Sequence, residues 1–309
     1  MKGIVHTGPC WRRKLDPDGT TSILCPAPDT PLIRWAGGAP ERVLLGGIST
    51  TRGTRADFAE MMAEDCRSAR SGELATPRIV VSSNGSVIAR YHRDPLFRQL
   101  IDRADIVDAD GMPMVIFTRL FWERPLPERV ATTDFIYNAC EIAVRDGLRF
   151  FFLGGKNGVA ERAAARLGEL YPGLQIAGTH HGYFLPEDEP ELCDRIREAG
   201  TDVLWVGLGS PRQETFAFRQ RALLEGVGWI RTCGGLFDFC SGDASRAPKF
   251  LQQIGLEWLY RAGLEPVRLG LRYLSTNPSA IWHLLTKSAE GRLPAPELTP
   301  PGPDSAIGR

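Results

Sequence analysis

The sequence predicts an α/β fold: a mostly parallel sheet with helices on both faces, followed by a helical C-terminal appendage. Three observations predict it. Short apolar runs alternate with amphipathic helical stretches between about residues 41 and 245, the rhythm of βα units. The longest apolar runs, such as VLWVGLG, have strand length and fall well short of the ~20 residues of a membrane span. From Arg246 to Arg292 the character changes to aromatic and basic stretches at helical spacing.

The elements follow in order. Residues 1–40 are rich in Pro, Gly, Asp and Thr with little periodicity, which predicts a poorly ordered extension. RVLLGG (Arg42 to Gly47) is a short strand, and ADFAEMMAEDCRSARSG is a helix ending at Gly72. PRIVVSSN is a strand ending in Ser82, Ser83 and Asn84. DADGMP reads as a polar turn before the apolar helix PMVIFTRLFW. RFFFLGG, LQIAGTHHGYF, TDVLWVGLGS and GWIRTCGG are strands, joined by the helices GVAERAAARLGELYPG, EPELCDRIREAG and PRQETFAFRQRALL. The segment 246–292 is a basic amphipathic appendage, and the Pro-rich tail 293–309 reads as disordered. The core is therefore placed at 41–245.

Bulk properties exclude several classes. With 309 residues, 43% of them hydrophobic, the chain can bury a sizeable core. Lys+Arg and Asp+Glu both number 37, so no global basic field points to nucleic acid. The seven cysteines show no C-x-x-C or other metal-ligand spacing, as expected of reduced thiols in a cytoplasmic protein. The N-terminus MKGIVHTGPCWRRKLDPDG has no apolar signal-peptide core, so any membrane contact is expected to be peripheral.

Ligands on parallel sheets sit beyond the carboxyl ends of the strands. That rule selects Ser82 to Asn84, Gly154 to Asn157, Gly207 to Gln213 and Gly234 to Asp238. Gly154 and Gly155 in LGGKNG suit either a tight turn or a phosphate at a helix N-terminus. GLGSPRQE, with Gly209, resembles a dinucleotide fingerprint but has Arg212 at the third glycine position, and for Gln213 alone a solvated helix start is the commoner explanation. The D-x-D pair Asp108 and Asp110 suits a divalent metal or a simple polar turn. Asp110, at the turn before a helix, is well placed as a base. His180 and His181 are adjacent, not at i, i+4, and read as loop residues. In the appendage, Arg261, Arg268 and Arg272 share one helical face beside Trp258, Tyr260, Leu264 and Leu271. That pattern fits an anionic membrane surface or phosphate groups, and ordinary packing accounts for it equally.

Five stretches together resemble the WecG/TagA/CpsF family of glycosyltransferases: DADGMPMV, PLPERV, YPGLQIAGTHHGYF, GLGSPRQE, and the run GGLFDFCSGDASRAPKFLQQIGLEWLYR…EPVR. The similarity spans roughly Leu44 to Tyr273. It implies a Rossmann-like core and an inverting transferase without metal or cofactor. The implied donor is a UDP-sugar, of N-acetylmannosamine or glucuronic acid for example. The implied acceptor is a polyprenyl-pyrophosphate-linked saccharide in surface-polysaccharide synthesis, met by a peripheral enzyme at the inner face of the cytoplasmic membrane. By motif, Asp110 is implied as general base, with Arg129 and Gln213 also catalytic. Ser82, Asn84, Asp238, Arg261 and Arg268 are implied substrate contacts; Arg272 lies one residue off the family's third arginine. Two departures stand out: Ser82-Ser83 where Thr-Pro is common, and Ala131-Thr132 where A-G is usual. The competing readings are an NAD(P)-dependent oxidoreductase and a non-catalytic nucleotide-binding scaffold. Homo-oligomerisation is left open.

Overall fold

The computed structural model describes residues 13–15, 21–23, 40–245, 247, 248, 251, 257–264, 270–291 and 293. Most of the N-terminal extension, the tail beyond Leu293, and Arg268 lie outside them. Two short strands, β1 (Arg13–Leu15) and β2 (Thr21–Ile23), pair antiparallel in the first of two compact units. The second unit spans Arg34–Ala295.

This unit is built on six parallel strands in the order β6-β5-β10-β9-β7-β8. They are β5 (Arg78–Ser83), β6 (Ile106–Ala109), β7 (Arg149–Gly154), β8 (Gln175–His180), β9 (Val203–Gly207) and β10 (Trp229–Thr232). Side-chain alternation along the strands separates two buried layers. Ile79, Val81, Val107, Leu153, Val206 and Ile230 face one. Val80, Ile106, Phe152, Trp205 and Trp229 face the other. Covering both faces is what a parallel sheet requires, so the predicted α/β class holds.

Several elements go beyond the sequence expectation. The first strand, β3 (Arg42–Leu45), continues through Gly46 and Gly47 into β4 (Ile48–Thr51). Both glycines have positive φ, at 57° and 86°, the geometry of a two-residue hairpin that side chains disfavour. Helix α1 is Arg55–Arg70, opened by a Thr54–Asp57 capping box. Between β5 and β6 lie two short helices, α2 (Gly85–Arg93) and α3 (Pro95–Asp102), capped by Asn84 and Asp94. DADG is not wholly a turn, since Asp108 and Ala109 complete β6. Strand propensity disfavours Asp, but a buried partner described below holds it. Next come α4 (Met112–Phe121), α5 (Thr132–Asp146), α6 (Val159–Leu170), α7 (Glu189–Glu198), α8 (Arg212–Gln220) and α9 (Leu236–Cys240).

In the C-terminal segment, α10 covers Glu257–Leu264 and α11 covers Leu271–Thr286. Helix α11 packs on α2, and its Ala280 and Leu284 join the core layer that holds Ile88. Beyond it, Leu44 and Ala289 exchange backbone hydrogen bonds of 3.1 and 2.8 Å, and Leu293 N donates to Arg42 O at 3.0 Å. The outward face of α11 exposes Leu274, Ile281, Trp282 and Leu285. No helix among the described residues is long and apolar enough to cross a membrane.

Candidate active site

The four loops selected from the sequence follow β5, β7, β9 and β10, which are adjacent in the sheet. The Asp108–Asp110 motif spans the end of β6, the next neighbour of β5. Strand order thus gathers the motifs along one edge.

At the end of β5, Asn84 is extended and caps α2, its Oδ1 accepting from the amides of Ser86 (3.0 Å) and Val87 (3.2 Å). The donor end of its amide takes no part in this cap. Asp110 N donates to Ser83 O at 2.9 Å, tying the β6 turn to β5. A β-carbon on Gly111 would lie 3.4 Å from Asn84 Cα, so the two turns pack backbone to backbone. Val130 N donates to Ala109 O at 2.9 Å, bringing Arg129 to the same corner. There Arg129 pairs with Asp134 at 3.0 Å.

Gln213 is buried at the start of α8 rather than on a solvated helix start. Its Oε1 accepts from Gly234 N at 2.9 Å, and its Nε2 donates to Glu214 Oε1 at 2.8 Å. One amide therefore couples the β9 loop to the β10 loop. Burial pushes the Glu214 carboxyl above its ordinary value, and hydrogen bonding by Gln213 opposes it. Asp238 lies in the first turn of α9, half-buried beyond β10. Gly209 is exposed at φ 76° with open space where a β-carbon would project.

Gly154 has a different task. A β-carbon there would sit 2.3 Å from Gly207 O, and its φ is 145°. Its space is filled by the neighbouring strand, so the glycine serves close approach of β7 and β9. Gly155 continues the seam, its N bonding Gly207 O (3.3 Å) and its O accepting from Gly182 N (2.8 Å). Gly154→Ala is expected to destabilise the fold by more than about 1 kcal/mol, a fall in Tm of roughly 3 °C or more. An unchanged thermal midpoint would show that these strand ends can part.

The sequence reading missed Arg231. It is 0% exposed on β10 and meets Asp108 Oδ2 at 2.6 Å. The Asp108 carboxyl is pushed up to about 7: burial raises it most, Arg231 pulls it down, and the charge of Asp110 adds to the rise. This pairing disfavours Asp108 as a metal ligand, because the guanidinium already holds one of its oxygens. A signal was present: a charged residue inside a central parallel strand needs a buried partner. Among the described residues, no cluster of three or more His, Cys, Asp and Glu gathers in metal-binding geometry. His180 and His181 lie at the end of β8, where His180 Nδ1 bonds His181 O. Arg261 and Arg272 have backbones in α10 and α11, but their side chains, like all of Arg268, lie outside the described residues.

The glycosyl transferase WecG/TagA/CpsF family matches residues 43–293, most of the chain. The chain belongs to this family. As a WecG/TagA/CpsF protein it is a glycosyltransferase of cell-surface polysaccharide synthesis, using a sugar donor and a lipid-linked acceptor. The match runs from β3 to the residue that closes back on β3, so both α10 and α11 fall inside the family's sequence.

Proposed function

We propose that the protein is an inverting, metal-independent transferase. It moves a sugar, such as N-acetylmannosamine or glucuronic acid, from UDP to a polyprenyl-pyrophosphate-linked saccharide. The supporting observation is the gathering of Asp110, Arg129, Gln213 and the β5 turn along one edge of the sheet in a chain of this family.

Inversion is a single in-line displacement. The acceptor hydroxyl oxygen bonds the anomeric carbon as the carbon–oxygen bond to UDP breaks on the opposite face. Asp110 takes the hydroxyl proton, a division of labour like that of inverting glycoside hydrolysis with a sugar hydroxyl in place of water. UDP leaves with added negative charge, which Arg129 and backbone N–H groups are suited to receive. Gln213, with both ends of its amide engaged, holds the β9 and β10 loops in place for the sugar. Arg261, Arg268 and Arg272 are assigned to UDP or to the lipid pyrophosphate.

The acceptor's lipid sets the location. A peripheral site at the inner face of the cytoplasmic membrane is supported by the exposed apolar residues of α11 and by Ile116, Leu120 and Phe121 on α4. A screen of UDP-sugars against a defined lipid-pyrophosphate saccharide, read by UDP release, tests the whole reading. No release with any donor would leave a binding scaffold. In the same assay, excess EDTA is expected to leave the rate within about twofold, since general base and arginine chemistry need no divalent ion. Loss of activity restored by Mg²⁺ or Mn²⁺ would place a metal in the mechanism.

A further inference from the structure

Arg231 is wholly buried, among the largest side chains in the interior. A single nitrogen, Nη2, makes three contacts: Asp108 Oδ2 at 2.6 Å, Ser82 Oγ at 3.0 Å and Thr132 Oγ1 at 3.1 Å. The partners come from β6, β5 and the first residue of α5. The two hydroxyls also bond each other at 3.0 Å. We propose that Arg231 is a positioning residue of the transfer site: through Nη2 it locks the ends of β5 and β6, and with them Asn84 and Asp110, into the arrangement that transfer requires. This rests on the transferase reading above.

Four observations carry it. Arg231 has no exposed surface, so it acts through its neighbours. Stability alone does not account for it, since a well-packed apolar pair usually serves as well as a buried ion pair. The same face of the sheet is otherwise filled by Trp229, Trp205 and Phe135, the last lying under the guanidinium at 5.5 Å. The cluster also leaves Asp108 Oδ1 and Arg231 Nε and Nη1 buried without hydrogen-bond partners, an unfavourable arrangement that calls for an explanation. Finally, the path to the site is short. Ser82 stands beside Asp108 in register, and one step on, Asp110 N bonds Ser83 O. The two carboxyls of the motif feel each other's charge.

Three variants test the proposal. Asp108→Leu with Arg231→Met replaces the pair by apolar groups and is expected to fold. Its kcat should fall roughly 10- to 100-fold, the scale set by displacements near 1 Å, with donor KM within about threefold. Arg231→Lys, which offers three N–H donors from one nitrogen, should recover most of the loss. Thr132→Val removes one acceptor while keeping shape and should lower kcat in the same direction. A folded paired variant with wild-type kcat overturns the proposal. Should that variant fail to fold, Thr132→Val decides, and wild-type kcat there overturns it.

Amide hydrogen exchange gives a readout independent of turnover. Exchange at Asp110 should quicken in the variants while that at Trp229, at the far end of β10, stays unchanged. Unaltered exchange at Asp110 overturns the proposal even if no donor is ever found. Wild-type protein that releases no UDP refutes the transferase reading alone.

Discussion

Asp110→Asn is expected to lower transfer by roughly 10²- to 10⁴-fold, the usual worth of a general base. The change keeps the size of the side chain and the backbone bond from Asp110 N to Ser83 O, so the turn should survive. UDP affinity, measured by calorimetry, should change little, because the lost group acts on the acceptor hydroxyl. A drop in kcat with donor KM preserved is the signature. The motif's other carboxyl is a poor substitute: Asp108 is 1% exposed and held by Arg231. Near-normal turnover in the variant would remove Asp110 from the proton transfer.

The second large effect concerns α11, whose two faces should behave differently. Leu284 is 5% exposed within a core layer, and Leu284→Ala should cost about 2–5 kcal/mol of stability, read as a fall in denaturant midpoint. Ile281, Trp282 and Leu285 are 55%, 64% and 59% exposed. Replacing all three with Ser should leave stability within about 0.5 kcal/mol per site. It should nonetheless release the protein from anionic vesicles. Burying one such side chain in an apolar phase yields about 1.5–3 kcal/mol, so losing three should weaken vesicle affinity by more than ~10²-fold. Co-sedimentation of the triple variant at wild-type levels would show that this face does not meet lipid. Cutting the chain before α11 is a poorer test, because it removes Ala280 and Leu284 from the core as well.

Much of the fold was legible because its elements carry their own punctuation. The runs ending at Asn84, Gly155, Ser210 and Gly235 read as strands from their apolar content, and the strands they contain are neighbours in the sheet. The hairpin at Gly46-Gly47 and the helices capped by Asn84 and Asp94 had local signals too, but these act over two to four residues and compete with longer patterns. Strand β6 was hidden for another reason. Its Asp108 contradicts strand propensity, and only Arg231, 123 positions away in sequence, makes the burial tolerable. The site shows the same limit. Ser82 and Thr132 each stood out as departures from the family's usual residues. Their contact with each other and with Arg231 depends on strand order, which no local pattern encodes. Gln213 likewise looked like a solvated helix start until the β10 loop arrived to bond it.

The bond from Leu293 N to Arg42 O has a topological corollary. The family-matched part of the chain starts at residue 43 and stops at 293, so its two ends touch and the domain is nearly a closed ring. A linker of a few residues could join them, and the chain could then be opened at an exposed turn such as Ser71-Gly72 without parting any strand of the sheet. In this domain, which residue comes first is largely independent of which residues are neighbours.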